Sequence, residues 1–226
     1  MQNFDKRFLK EYYKDGFYGF ADALKQCIEE GSKPLYMPDI IRLRIVQEDD
    51  IWQKWWQTPS IAITGKGKSS NFSKKGGTHV IVYAHVPNYL SEPSNIRKLI
   101  KNGTENGAVP IPYEEFKRLL DMSDNKNVFV FDYKVLSKHP NGIIPFEEAI
   151  KHPQLIAFAG DKDVAEAYLE MHKKVYNETN IGIWYPTNLT DTPLGRALLL
   201  GNYFGRGLDA ADEMDGEGRI LGYFGK

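Results

Sequence analysis

The sequence predicts an α/β (or α+β) fold. A mostly parallel mixed sheet carries helices on its faces, beside a helical N-terminal segment and antiparallel hairpin additions at residues 60–86 and 195–224. Three observations carry this expectation. Strand-length apolar runs alternate with helical periodicities from residue 78 to 185. The runs 128–131 (VFVF) and 155–159 (LIAFA) are apolar without alternation, as strands covered on both faces are. Two more apolar runs, 60–64 and 78–86, flank a Gly-, Ser- and Lys-rich segment, the pattern of a hairpin with a long tip. The 226 residues fit a single domain, with a largely helical 1–57 packed on a sheet region spanning 58–226.

Taken in order, residues 3–30 read as helix. Phe4, Phe8 and Tyr12, then Phe20, Leu24 and Ile28, recur at helical spacing, broken at Asp15-Gly16 and stopped at Gly31. The run 40–46 (IIRLRIV) is open between strand and helix, since it alternates Arg with apolar residues while Asp39 offers a cap. Ser94 and Pro112 open helices bearing Ile96, Leu99 and Ile100, and Phe116, Leu119 and Leu120. Pro145 opens another with Phe146, Ala149 and Ile150. Asp161 caps the clearest helix, whose stripe is Val164, Tyr168, Met171 and Val175, with His172, Lys173 and Lys174 near its end as the helix dipole favours. A strand at 181–185 follows. The tail runs 196–200 and 219–224 read as antiparallel edge strands around an acidic, Gly-rich loop.

Charge is balanced, 29 Lys and Arg against 30 Asp and Glu, which excludes an all-over basic coat and leaves only local patches. Residues 51–91 contain no acid at all but carry Lys54, Lys66, Lys68, Lys74 and Lys75. Cys27 is the sole cysteine, so an intrachain disulfide or a multi-cysteine metal site is excluded. The first residues lack the apolar core of a signal peptide, and no run approaches the ~18 apolar residues of a spanning helix. The expectation is a soluble cytoplasmic protein with no membrane partner.

Several motifs resolve to plain readings. The stretch 62–69 (AITGKGKS) nearly fits a phosphate loop, but the helix that must follow it is missing, so it reads as a hairpin tip. In the register of a calcium loop, Asp215-Gly216 puts Ala211 and Gly222 at ligand positions, and the acidic loop reads as solvated, with a weak nonstandard cation site as the alternative. The five histidines show no paired metal spacing. Trp52, Trp55 and Trp56 read as core, with a stacking platform as the alternative.

In a parallel sheet, ligands sit at the carboxyl ends of the strands. That rule selects His85, Asp132 and Asp161 as catalytic acid–base candidates, with Tyr83 and Tyr185 beside them. Lys66, Lys68, Lys74 and Lys75 would close over the site as a cationic clamp. The functional expectation is a domain binding or processing a small anionic ligand, phosphorylated or nucleotide-like. The alternatives are a single-stranded nucleic-acid module using the 65–77 hairpin and the tryptophans, and a protein-interaction domain. The sequence names no cofactor and leaves open both enzymatic activity and oligomeric state.

Overall fold

The computed structural model describes residues 5–47, 50–67, 78–201, 207–211 and 213–225. The chain opens with β1 (Leu9–Lys14), α1 (Gly19–Glu29) and β2 (Lys33–Pro34). Helices α2 (Met37–Val46) and α3 (Asp50–Gln53) lead into β3 (Trp56–Gly67) and β4 (Thr78–Ala84). Next come α4 (Pro93–Lys101), β5 (Val109–Pro110), α5 (Tyr113–Asp121), β6 (Val128–Asp132), α6 (Tyr133–Leu136), β7 (Gly142–Pro145) and α7 (Phe146–Ala149). The chain closes with α8 (Pro153–Ala159), α9 (Lys162–Tyr176), β8 (Asn180–Trp184), β9 (Leu194–Leu200), β10 (Leu208–Asp209) and β11 (Gly218–Tyr223).

The main sheet runs in the order β6-β4-β3-β9-β10-β8-β7, with β5 paired to β9. Here the expected parallel sheet is corrected: among the described residues only β10 and β8 pair in parallel within it, and its other ladders are antiparallel. The predicted strand 155–159 is helix α8. Pro153 opens it, the His152 ring accepts from the Gln154 N–H at 3.2 Å, and Gly160 ends it in a left-handed turn. Its residues are nearly all buried, so the apolar run carries no period that separates strand from helix. The open run 40–46 is also helical: Pro38 occupies the first turn, and the Asp39 carboxylate accepts from the Tyr36 N–H at 3.3 Å.

The 60–86 hairpin forms as expected, with Ile61 opposite Ala84 and Gly67 opposite Thr78. Period-two alternation divides its side chains between two cores. Ala62, Ile81 and Tyr83 face α2, α8 and α9 through Ile40, Phe158 and Tyr168. Ile61, Ile63, Val80 and Val82 face α1, α4 and α5 through Leu24, Ile96 and Phe116. Helices therefore do cover both faces of the sheet. In β3 the register against β9 slips between Thr58 and Ile61, where Pro59 has no N–H to give to the ladder.

The N-terminal segment departs from its helical expectation, because β1 is a strand. It pairs antiparallel with β11, which pairs with β2, making a second, three-stranded sheet from the two ends of the chain. Close approach seats α1 on that sheet, since a Cβ on Gly218 would meet the Phe20 nitrogen at 2.2 Å.

Candidate ligand-binding site

A concave basin of about 740 Å³ opens where the main sheet meets the segment leading into β11. Its floor is a cross-strand row. Gln57 on β3 is registered with Leu199 on β9, Leu199 with Asp209 on β10, and Asp209 with Trp184 at the end of β8. Ile143 on β7 and Trp55, just ahead of β3, flank the row, and residues 213–217 form a wall. The floor depends on two glycines. A Cβ on Gly207 would lie 1.9 Å from the Gly182 carbonyl oxygen, and one on Gly182 would lie 2.0 Å from the Trp184 ring. Their backbones touch, so β10 can lie beside β8 and Trp184 can lie over Gly182.

The lining is acidic. Asp209, Glu213, Asp215 and Glu217 contribute carboxylates, and no Lys or Arg lines the basin among the described residues. Asp209 accepts from the Ala211 N–H at 2.6 Å. Glu217 accepts from the Tyr13 hydroxyl at 2.5 Å, and hydrogen bonds to Asp15 and Glu217 push the Tyr13 phenol up from its ordinary value. Two acceptors in the lining, Gln57 Oε1 and Asp215 Oδ1, have no hydrogen-bond partner among the described residues. Beside the basin, the Arg219 guanidinium lies 5.3 Å from the Trp55 ring centroid and 4.7 Å from that of Tyr13, and it is paired with Glu11.

No family model and no curated protein matches the chain. A solved structure from Nanoarchaeota, described as the accommodation of massive sequence variation by the C-type lectin fold, is 41% identical with a TM-score of 0.83. The match covers 96% of this chain and 99% of that one. This chain belongs to the C-type lectin fold family.

On this C-type lectin fold the residues selected from the sequence do not gather into one site. Because β4 and β6 are antiparallel, Asp132 pairs with Val80 while His85 lies beyond Ala84, at the opposite end of the ladder. The rule of parallel strand ends has no purchase on such a pair. The Asp132 carboxylate caps α6 through the Lys134 N–H at 2.8 Å. His85 is buried, its Nδ1 2.9 Å from Ser60 Oγ and its Nε2 2.8 Å from the Ala157 carbonyl oxygen. Tyr83 is buried and donates to Gln154 Oε1 at 2.9 Å; Tyr185 donates to the His139 carbonyl at 2.8 Å.

Asp161 caps α9 by accepting from the Val164 N–H at 2.8 Å, with Arg42 at 3.9 Å. Asp161→Ala is therefore expected to cost about 1 kcal/mol, the usual value of a helix cap. Denaturant melts check the cost, and ligand titration should show the basin unaffected. A stability change near zero would remove the capping role.

Lys66 pairs with Asp191 at 3.2 Å, and His79 lies 3.3 Å from the same carboxylate. The hairpin base thus has an acid after all, brought in from beyond the acid-free stretch. Lys68, Lys74 and Lys75 lie outside the described residues. Trp52 and Trp56 are core, as expected, whereas Trp55 lines the basin. Trp184 and the acids Asp209, Glu213, Asp215 and Glu217 are the residues that the sequence does not single out as a site. Their signal was the density of acids around Asp215-Gly216, read there as mere solvation. No group of three or more His, Cys, Asp or Glu could hold a metal ion among the described residues, and no helix there is long and apolar enough to cross a membrane.

Proposed function

We propose that this chain is a recognition domain that binds its ligand or protein partner in the basin floored by Gln57, Leu199, Asp209 and Trp184. The observation that carries this reading is the registered cross-strand row beneath a concavity of ligand-binding size. Four carboxylates make the basin unfavourable for an anion, and Lys66, the described lysine of the hairpin, already has a partner in Asp191. The anionic-ligand and nucleic-acid readings therefore draw no support from this site.

The relative is described as a C-type lectin fold that accommodates massive sequence variation. On this chain the basin is suited to such tolerance. Ile143 is 60% exposed, and Glu213 and Glu217 are exposed, so their identities contribute little to core packing. Simultaneous substitution of Ile143, Glu213 and Glu217 is expected to shift the melting temperature by no more than a few degrees. A shift of tens of degrees would show the rim to be structural.

The functional test is a fragment screen on the labelled full chain, read at the indole resonances of Trp184 and Trp55. Neutral or cationic fragments should shift these indoles. Fragments that bind elsewhere and leave both tryptophans unmoved would overturn the reading.

A further inference from the structure

Among the described residues the acids of the basin form no metal-sized cluster; they are spread around a cavity of about 740 Å³ that the Trp55 and Trp184 indoles also line. A second observation points to a ligand independently of the charges. Gln57 is only 5% exposed, it lines the basin, and its Oε1 has no donor. A buried amide oxygen without a donor is costly, and a ligand N–H would remove the cost. Asp215 Oδ1 is in the same condition. The site therefore offers acceptors, negative charge and indole faces, with apolar side chains of Ile143 and Leu199 between them.

That combination matches a flat or compact nitrogen cation on an apolar stem. Guanidinium and ammonium groups donate several N–H bonds, pair with carboxylates and lie over indole rings, while their methylene stems cover apolar surface. The chain itself shows the same chemistry at the edge of the basin, where Arg219 lies over Trp55 and Tyr13 and pairs with Glu11. Trp184, across the floor, is partly exposed and has no aromatic or cationic neighbour of this kind among the described residues.

We infer that the basin takes an arginine or lysine side chain presented by a polypeptide partner, its cationic head held by Glu213, Asp215, Glu217 and Gln57 Oε1 and its stem lying along Trp184 and Leu199. This rests on the basin being the recognition site. A polypeptide source follows from size: the cavity is much larger than one cationic head and leaves room for flanking residues.

The test titrates the labelled full chain with N-acetyl-arginine amide, its neutral isostere N-acetyl-citrulline amide, butylguanidinium, and the blocked tripeptide Gly-Arg-Gly, following the Trp184 and Trp55 indoles. The arginine probe should saturate, weaken as salt is raised, and bind roughly tenfold more tightly than citrulline, since the charged head gains charge-assisted hydrogen bonds. The exposed pair Glu213→Gln and Glu217→Gln, combined in one variant, should weaken it by about the same factor while the melting temperature holds. The tripeptide should bind more tightly than butylguanidinium. Equal binding of citrulline, or an unaltered affinity in the double variant, would overturn the cationic ligand while leaving the basin as the site. Butylguanidinium, which has the same single charge and no backbone, binding as tightly as the tripeptide would overturn the polypeptide source. If no probe moves either indole, the cationic side chain is overturned, while the recognition reading is decided by the fragment screen alone.

Discussion

Arg44→Ala is expected to destabilise this protein by about 3–5 kcal/mol, a large share of the stability of an ordinary domain. Arg44 is fully buried on α2, and no carboxylate pairs with it among the described residues. Its guanidinium is held by dipoles instead. Nε donates to the Ile51 carbonyl at 3.2 Å, Nη2 to the Lys54 carbonyl at 2.7 Å, and Nη1 to the Tyr168 hydroxyl at 3.3 Å. The Trp52 ring centroid lies 5.1 Å from the guanidinium carbon, and that ring stacks on Tyr168 at 5.3 Å. Trp52 in turn donates to the Arg44 carbonyl at 2.7 Å. One side chain thus ties α2, α9 and the turn at 51–54, the turn that presents Trp55 to the basin. Truncation leaves a cavity and strips buried carbonyls of a donor at once. Arg44→Lys, which keeps the charge but loses the fork, should fall between the two. Urea melts decide the matter. A loss below about 1 kcal/mol for Arg44→Ala would show the cluster to be packing alone.

Acid is expected to destabilise the protein steadily between pH 6.5 and 4, because two buried histidines are folded in their neutral form. Desolvation pulls the His85 imidazole from 6.5 down to about 4, against the opposing pull of its bond to the Ala157 carbonyl. Desolvation does the same to His152, also to about 4, against the bond to the Pro140 carbonyl. The geometry explains why neither ring takes a second proton cheaply. The Met37 N–H donates to Ser60 Oγ at 2.9 Å, leaving the serine proton to point at His85 Nδ1, while Nε2–H donates to Ala157. In His152 the Nδ1 lone pair accepts from the Gln154 N–H as the cap of α8. A proton on His152 Nδ1 would face the Gln154 N–H, and one on His85 Nδ1 would force the Ser60 hydroxyl to turn its own proton away.

The sign follows from linkage. The folded pKa lies below the unfolded one, so the unfolded chain binds more protons between pH 6.5 and 4. The stabilisation is complete above 6.5 and is lost as pH falls toward 4. At about 1.4 kcal/mol per pH unit, each histidine accounts for roughly 3 kcal/mol across that window. Denaturant midpoints measured from pH 7.5 to 4 should fall steeply, and the slope should shrink in His152→Gln and again in His85→Gln/His152→Gln. A flat profile in the parent between pH 6.5 and 4.5 would refute the account.

What the sequence by itself determined is the set of elements with strong local signals. Asp161 with the stripe Val164 and Tyr168 specifies α9, the run VFVF specifies β6, and the alternation in 78–84 assigns each hairpin side chain to the core it enters. These signals are local, because burial of one element's face is written in its own periodicity. Tertiary structure decided the rest. LIAFA is helix α8, opened by Pro153 and ended by Gly160, and it is so nearly enclosed that no period is left to read. Phe8 and Tyr12 recur at a helical spacing, yet Tyr12 lies in a strand opposite Ile220, a partner that nothing near it in sequence announces. Strand direction belongs to the same class. It is set by which distant strands meet, and a parallel or antiparallel partner leaves the same apolar run behind. The basin was the least legible feature, since Trp55, Ile143, Trp184 and the acids Asp209, Glu213, Asp215 and Glu217 are separated along the chain and become one surface only when β3, β9, β10 and β8 are placed in register.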